Sequence, residues 1–335
     1  MRVDIDALID GGVKAFLCAA YAIERTMFND VWPLRIAAAI HPRGKRISQA
    51  PMDSLVRECL DHAEKMVAQT RKHRGNVIEV ARSFSDMTRI MNEGKVCLLH
   101  SVEGAHHLNG DIDMLDELFE RGVCHVVLPH LYPNEAGGCV NIFEKYKGRP
   151  TFGCFLKKHQ DATGLSPWGK ELVEKLLHLG ILVDPTHGTR EFRRQVLDIA
   201  KNHPKHRPVV MSHACLPSPS EEGMGPLPNE IRAIADLGGV VGIMMYTHRE
   251  SGQQAKNGIQ YVMRSIEHLI QHGGEDVVAI GSDFDGSPDT PSDLRSPRAY
   301  KTLREELQKI YSEPQVIKFL SSNALRAIKA GWGKA

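Results

Sequence analysis

The chain alternates short apolar runs with longer stretches in which apolar positions recur every three or four residues. The runs Val13–Ala22, Val96–Val102, His125–His130, Ile181–Asp184, Pro208–Ser212, Val240–Met245 and Val277–Ile280 are short, often β-branched, and do not alternate cleanly. Strands buried on both faces of a parallel sheet read this way. The helical period covers Met52–His73, Asp111–Arg121, Ser166–Leu179, Thr189–Asn202, Asn229–Leu237 and Ile259–His272, and Arg298–Ile310 and Pro314–Ala330 close the chain. The stretch from Ser166 has clear start and stop signals: Ser166 as N-cap, Pro167 in the first turn, and Gly180 after the last apolar position. Strands alternating with helices imply a parallel sheet with right-handed crossovers. Seven strong strands and a weak one, Val77–Val80, predict an α/β fold of the (β/α)8 TIM-barrel-like type. An open doubly wound sheet is the alternative. No repeat or linker divides residues 1–335, so they are expected to form one domain, with Leu131–Gly164 as a long functional loop over the barrel mouth.

Composition narrows the function. Lys and Arg number 42 against 41 Asp and Glu, a net charge of +1, so the basic excess that phosphate neutralisation calls for is missing. No nucleic-acid partner is expected. No apolar run approaches the roughly 18–20 residues of a spanning helix, and the first twenty residues contain Asp4, Asp6, Asp10 and Lys14. No membrane partner is expected either. The seven cysteines are odd in number, widely spaced and without a C-x-x-C pair, which argues for a reducing, cytoplasmic setting. Neither a dinucleotide-binding glycine fingerprint nor a P-loop is present.

The chemistry lies in the residues that stand at the strand ends. V-C-L-L-H-S-V-E-G ends at Glu103, H-V-V-L-P-H at His130, I-L-V-D-P-T-H at His187, P-V-V-M-S-H at His213, and V-V-A-I-G-S-D-F-D-G at Asp283 and Asp285. Barrel enzymes assemble their sites at this C-terminal rim. Two histidines and a glutamate can hold zinc, and a spare aspartate can move protons. Taken singly, each of these residues fits a cap or hydrogen-bonding role; five strands delivering such residues to one rim point to a metal or acid–base site. Asp184, inside its strand, is expected to be structural, and Asp285 to cap the helix or loop after it. The adjacent His106 and His107 suit a loop or helix start. Tyr246–Thr247–His248 is expected to line the pocket, the stretch Pro217–Glu222 to be an exposed loop, and the basic cluster from Lys201 to Arg207 a solvated helix end.

In order along the chain, V-E-G (Val102–Gly104), T-G-L-S-P-W-G (Thr163–Gly169), L-V-D-P-T-H (Leu182–His187), M-S-H-A (Met211–Ala214) and G-S-D-F-D-G (Gly281–Gly286) resemble the membrane (renal) dipeptidase family of zinc peptidases. The opening V-D-I-D-A-L-I-D-G-G-V and the closing S-N-A-L-R-A-I resemble its segments too, so the likeness covers nearly the whole chain. It implies a (β/α)8 barrel with a binuclear zinc site, a dipeptide or similar small amide as substrate, and a homodimer. Glu103 then matches the carboxylate that bridges the metals, and His187 and His213 the histidines of one zinc. His130 matches the histidine that contacts the scissile carbonyl oxygen or the oxyanion. Asp283 matches the acid that moves a proton from water to the leaving nitrogen.

Two departures qualify the resemblance. The family's first strand ends in a His-x-Asp pair for the other zinc; Asp4 and Asp6 have no histidine partner, and the one His-x-Asp here is His159–Gln160–Asp161, in the long loop. The first strand is thus expected to be missing or replaced, by Val77–Val80 or by a rearranged terminus, unless the true start lies upstream. Glu103, His187 and His213 alone suffice for a mononuclear site, so one or two zinc ions are expected. Gly225 stands where the family has a substrate-carboxylate arginine. The leading expectation is a zinc-dependent hydrolase that cleaves a dipeptide or small acylated amino acid by attack of metal-bound water. The alternatives are a hydrolase of lactones or esters and a binding protein that has lost hydrolysis.

Overall fold

The computed structural model describes residues 2–140, 164–216, 225–245, 258–287 and 290–334. The central part of the expected long loop, with His159–Gln160–Asp161, lies outside the described residues, as do 217–224 and Tyr246–Thr247–His248. In chain order the elements are α1 (Ile5–Asp10), β1 (Ala15–Ala20), α2 (Arg25–Asp30), α3 (Trp32–Ile40), α4 (Pro42–Gln49), α5 (Met52–Arg74), β2 (Ile78–Ala81), α6 (Phe84–Asn92), β3 (Val96–Glu103), α7 (Met114–Glu120), β4 (Val123–Val127), α8 (Pro167–Leu179), β5 (Leu182–Asp184), α9 (Arg190–Asn202), β6 (Met211–Ala214), α10 (Pro228–Asp236), β7 (Val241–Ile243), α11 (Gly258–Gly273), β8 (Val278–Ile280), α12 (Tyr300–Gln308), α13 (Glu313–Ile317) and α14 (Asn323–Gly331).

Every strand pair is parallel, as the apolar runs predicted. The spatial order is β1-β3-β4-β5 in one sheet and β6-β7-β8 in another. A parallel bridge between Val183 and Val209 joins the two, and the Val210 amide donates to the Val183 carbonyl at 3.1 Å. The result is a seven-strand arc in barrel order. It does not close: among the described residues no strand pairs with the outer edge of β8 or of β1.

Here the structure corrects an expectation. The weak strand does form, as β2, but it does not fill the gap between β8 and β1. It pairs with β3 over Val96–Leu99, while β4 pairs with β3 over His100–Glu103. The amides of Val96 and Cys97 point to opposite sides, to Val77 and to Lys14 before β1, and Gly104, an even number of residues on from Val96, points to Val127. The period of two thus puts β2 and β4 end to end on one edge of β3. An eight-residue strand is long enough to serve both, and its register shifts between His100 and Ser101, where one partner hands over to the other.

The N-terminal segment approaches the other lip of the gap. The backbone amides of Arg2 and Val3 donate to the Asp285 carboxylate at 2.7 and 3.2 Å, and Arg298 pairs with Asp10 at 3.0 Å. Asp285 therefore receives the N-terminal segment.

Two apolar layers hold the arc. The outer one joins strand residues such as Val126, Val183 and Val241 to helix residues such as Leu118, Leu176 and Ile266. The inner one stacks Cys97, Leu99, Leu182, Val210, Val240 and Ala279 against Ala327, Ile328 and Trp332. The C-terminal helix α14 and the residues just after it thus cover the end of the arc where the strands begin, leaving the other end for polar residues. The expected single helix Pro314–Ala330 is divided by a π-type turn at Lys318–Ser322. No described helix is long and apolar enough to cross a membrane.

Beyond the expected elements, α1, α2, α3, α4 and α6 form. Pro33 and Pro42 stand in the first turns of α3 and α4, where a missing amide hydrogen costs nothing. Neither helix buries a residue, and Trp32, Ile36 and Ile40 lie exposed.

The arc narrows around the Ser212 carbonyl. A Cβ on Gly242 or Gly281 would lie 2.0 or 1.7 Å from that oxygen, so only glycine fits at either position. Gly281→Ala is expected to lower stability by about 1–3 kcal/mol through this overlap. Urea unfolding checks it, and a midpoint equal to that of the wild type contradicts it.

Candidate metal centre

The rim residues arrive from separate strands. Glu103 is the last residue of β3, and His213 lies within β6. His130, His187 and Asp283 each stand three residues beyond the last residue of β4, β5 and β8. His187 and Asp283 adopt left-handed backbone, at φ 68° and 53°. Aspartate and histidine enter this region more readily than most residues other than glycine, and such positions cluster at functional sites.

Glu103, His187 and His213 converge. Glu103 Oε1 lies 3.7 Å from His187 Nε2 and 3.5 Å from His213 Nε2, and the two nitrogens are 2.9 Å apart. Ligand atoms about 2.0–2.1 Å from a tetrahedral zinc ion lie about 3.3–3.4 Å from one another. The three separations bracket that spacing, the two to Glu103 slightly longer and the one between the imidazoles shorter. Among the described residues it is the one group of three His, Cys, Asp or Glu side chains so placed.

The protonation states suit a cation. Burial alone would raise the Glu103 carboxyl, but the facing His187 and the charges of His130 and His213 hold it well below the usual carboxylate range. Burial pushes His187 down to about 4, helped by His130 and His213, so its imidazole is neutral at neutral pH. One carboxylate and a neutral imidazole thus present lone pairs to the same point. The Ser212 hydroxyl lies 2.8 Å from His213 Nδ1. If that nitrogen carries the proton, His213 Nε2 keeps its lone pair for the site.

His130 stands at the edge of this group, its Nε2 3.9 Å from Glu103 Oε1 and its ring centroid 4.9 Å from that of His187. A residue with no local mark in the sequence, Glu24, holds it there. Glu24, 5% exposed, lies with Oε1 2.9 Å from His130 Nδ1 and also accepts the Leu131 amide at 3.1 Å. The Tyr21 hydroxyl donates to Glu24 Oε2 at 2.6 Å, and the Tyr21 ring packs edge-on against His130. Burial opposes the charge on Glu24, yet the His130 contact and the Tyr21 hydroxyl hold it at about 2. Burial likewise opposes a charged His130, but Glu24 and Glu103 outweigh it and raise the imidazole above its ordinary value.

The adjacent histidines lie in a short 3-10 turn, Ala105–Leu108, and fix the chain just before Glu24. His107 Nε2 accepts the Ala22 amide at 2.8 Å while its Nδ1 lies 2.6 Å from the Gly104 carbonyl, and His106 Nε2 lies 2.9 Å from the Ala22 carbonyl. Burial pushes His107 down to about 3, so it is neutral in this clamp.

Asp283 completes the rim. Burial raises its carboxyl to about 6, with the charge of Glu103 adding to the effect and His213 and His130 opposing it. A Cβ on Gly286 would lie 2.1 Å from Asp283 Oδ1, so glycine there leaves room for the carboxylate. Asp184, 0% exposed, is no part of the triangle. It accepts from the Thr186 and Ser212 amides and lies 3.0 Å from His125 Nε2. At Gly225, where the resemblance placed an arginine, the carbonyl lies 3.5 Å from Nη2 of the buried Arg193, whose guanidinium is paired with Glu230.

Comparison with known proteins identifies the family. The sequence profile of the membrane dipeptidase family, peptidase family M19, matches residues 1–331. An uncharacterized dipeptidase of Schizosaccharomyces pombe is 25% identical over 252 residues, 75% of this chain and 56% of its own length. An uncharacterized Klebsiella pneumoniae protein from the pqqA 5′ region is 26% identical over 273 residues, 80% of this chain and 94% of its own. Among solved structures, a metallopeptidase from Rhodobacter sphaeroides, liganded with a phosphinate mimic of the dipeptide L-Ala-D-Ala, superposes with a TM-score of 0.75 at 22% identity. That superposition covers 99% of this chain and 90% of the other, so the arc is a TIM-barrel-like fold. The chain belongs to the membrane dipeptidase family of metallopeptidases.

Proposed function

We propose that this protein is a zinc-dependent hydrolase that cleaves the amide bond of a dipeptide or a small acylated amino acid. The observation that carries this reading is the convergence of Glu103, His187 and His213 within one ligand sphere. The Rhodobacter relative's complex with a dipeptide mimic supports the substrate class. A zinc ion bound by these three residues supplies Lewis acidity and acidifies water.

The other residues have distinct work. Asp283, with its carboxyl at about 6, is ionised at neutral pH and still basic enough to take the proton of the attacking water. It then gives that proton to the leaving nitrogen. His130, held through Nδ1 by Glu24, turns Nε2 toward the site and donates to the oxygen on which negative charge develops. Glu24 fixes the ring and its charge without touching the substrate.

One observation favours a second reading, hydrolysis of a lactone or ester. Gly225 supplies no cation for a substrate carboxylate, and the nearby Arg193 is engaged with Glu230. Assay of paired substrates with and without a free C-terminal carboxylate separates the two. Faster turnover of dipeptides supports the first reading, and turnover confined to lactones or esters overturns it.

Three further outcomes are expected. Glu103→Ala and His213→Ala each lose bound zinc and activity together; zinc retained at the wild-type level removes that residue from the ligand set. The deprotonated Asp283 is the working form, so kcat rises with pH along an acid limb and levels off above it. Asp283→Asn abolishes both the rate and this limb, and a variant that keeps the wild-type profile contradicts the assignment. Glu24→Gln lowers kcat about tenfold or more while zinc content stays at the wild-type level, because only the donor to the oxyanion is disturbed; an unchanged kcat refutes the role.

A further inference from the structure

Beneath the metal triangle lies a polar layer, buried at Ser101, His125 and Asp184 and half-buried at Ser212, that the reaction does not use. It draws one residue from each of four neighbouring strands: Ser101 on β3, His125 on β4, Asp184 on β5 and Ser212 on β6. Ser101 Oγ lies 2.7 Å from His125 Nδ1, and His125 Nε2 lies 3.0 Å from Asp184 Oδ2. The serine, histidine and aspartate types match a hydrolytic triad, but Ser101 and His125 are each 1% exposed and Asp184 0%, so no substrate reaches them. The layer has another use.

The Asp184 carboxylate grips two peptide units. Its Oδ1 accepts the amide of Thr186 at 2.7 Å, and its Oδ2 that of Ser212 at 2.8 Å. Thr186 directly precedes His187, and Ser212 directly precedes His213. One buried carboxylate thus holds the backbone that presents both imidazoles of the metal triangle. Ser212 acts a second time, its hydroxyl 2.8 Å from His213 Nδ1. A carboxylate taken out of water is stable only if its hydrogen bonds are complete, and this one has the two amides and His125 around it.

We propose that Asp184 and Ser212 are positioning residues that set the metal affinity of the site, Asp184 by fixing the spacing of His187 and His213 and Ser212 by fixing the ring of His213. This rests on the reading of Glu103, His187 and His213 as ligands. Partners that orient ligands from outside the coordination sphere alter metal affinity about 10–100-fold when removed.

The test is zinc affinity of the full chain, stripped of metal and titrated against a chromophoric chelator, alongside the thermal midpoint with and without zinc. Ser212→Ala and Asp184→Asn are expected to weaken zinc binding about 10–100-fold. Ser212→Thr keeps the hydroxyl and is expected to bind within about threefold of wild type. Asn323→Ala is the control for structural damage: Asn323 Nδ2 bonds the carbonyls of Glu275 and Val278 far from the ligands in sequence. It is expected to lower the thermal midpoint and leave zinc affinity unchanged. The proposal is overturned if Ser212→Ala and Asp184→Asn bind zinc like wild type, or if Asn323→Ala weakens binding as much as they do. Should Asp184→Asn fail to fold, the contrast between Ser212→Ala and Ser212→Thr decides. A wild-type chain that binds no zinc overturns the ligand assignment itself, which is a different failure from variants that bind normally.

Discussion

The structure turns on a partly buried carboxylate, Glu103, set among imidazoles at the open end of a parallel arc. A carboxylate in that position is costly unless positive charge or a cation answers it. His130, His187 and His213 face it, and all of them come from strands other than its own. Parallel strands make this possible because their C-terminal ends all lie on one side. The apolar inner layer and α14 cover the opposite end, so the polar side chains can be concentrated at the rim. The site is the consequence of a barrel architecture in which one end is packed and the other is not.

The second constraint is that the rim residues are anchored from outside as well as placed by the strands. His130 depends on Glu24, Glu24 on Tyr21, and the chain before Glu24 on the histidine clamp of His106 and His107. His187 and His213 depend on the Asp184 layer. The two supports lie on different flanks, one beside the gap in the arc and one within its continuous part. The gap does not reach the triangle: β3, β5 and β6, which carry Glu103, His187 and His213, are all interior to the arc.

Much of this was legible in the sequence because apolar runs and strand ends leave strong local marks. The runs ending at Glu103 and Asp184 match strands to within a residue or two, and the five rim residues were singled out by standing just after such runs. The rest was hidden for physical reasons. α3 and α4 bury nothing, so their apolar positions carry no core-facing period. α6 is short, although its start was marked by Ser83, whose hydroxyl accepts the Asp86 amide. Glu24 was missed although it obeys the strand-end rule, four residues beyond β1; its partner is 106 residues away, and no local pattern announces it. The missing first strand was legible from the absent His-x-Asp pair, but what lies along the open seam was not, because a strand's own sequence does not say which neighbour takes its edge. Val77–Val80 reads equally well as the missing stave or as β2 on β3.

The most direct test of the central claim is the zinc content of the full chain, purified without chelator and measured by elemental analysis. At least one zinc ion per chain is expected, held by Glu103, His187 and His213. A chain that contains no zinc, and takes up none after incubation with it, contradicts the account.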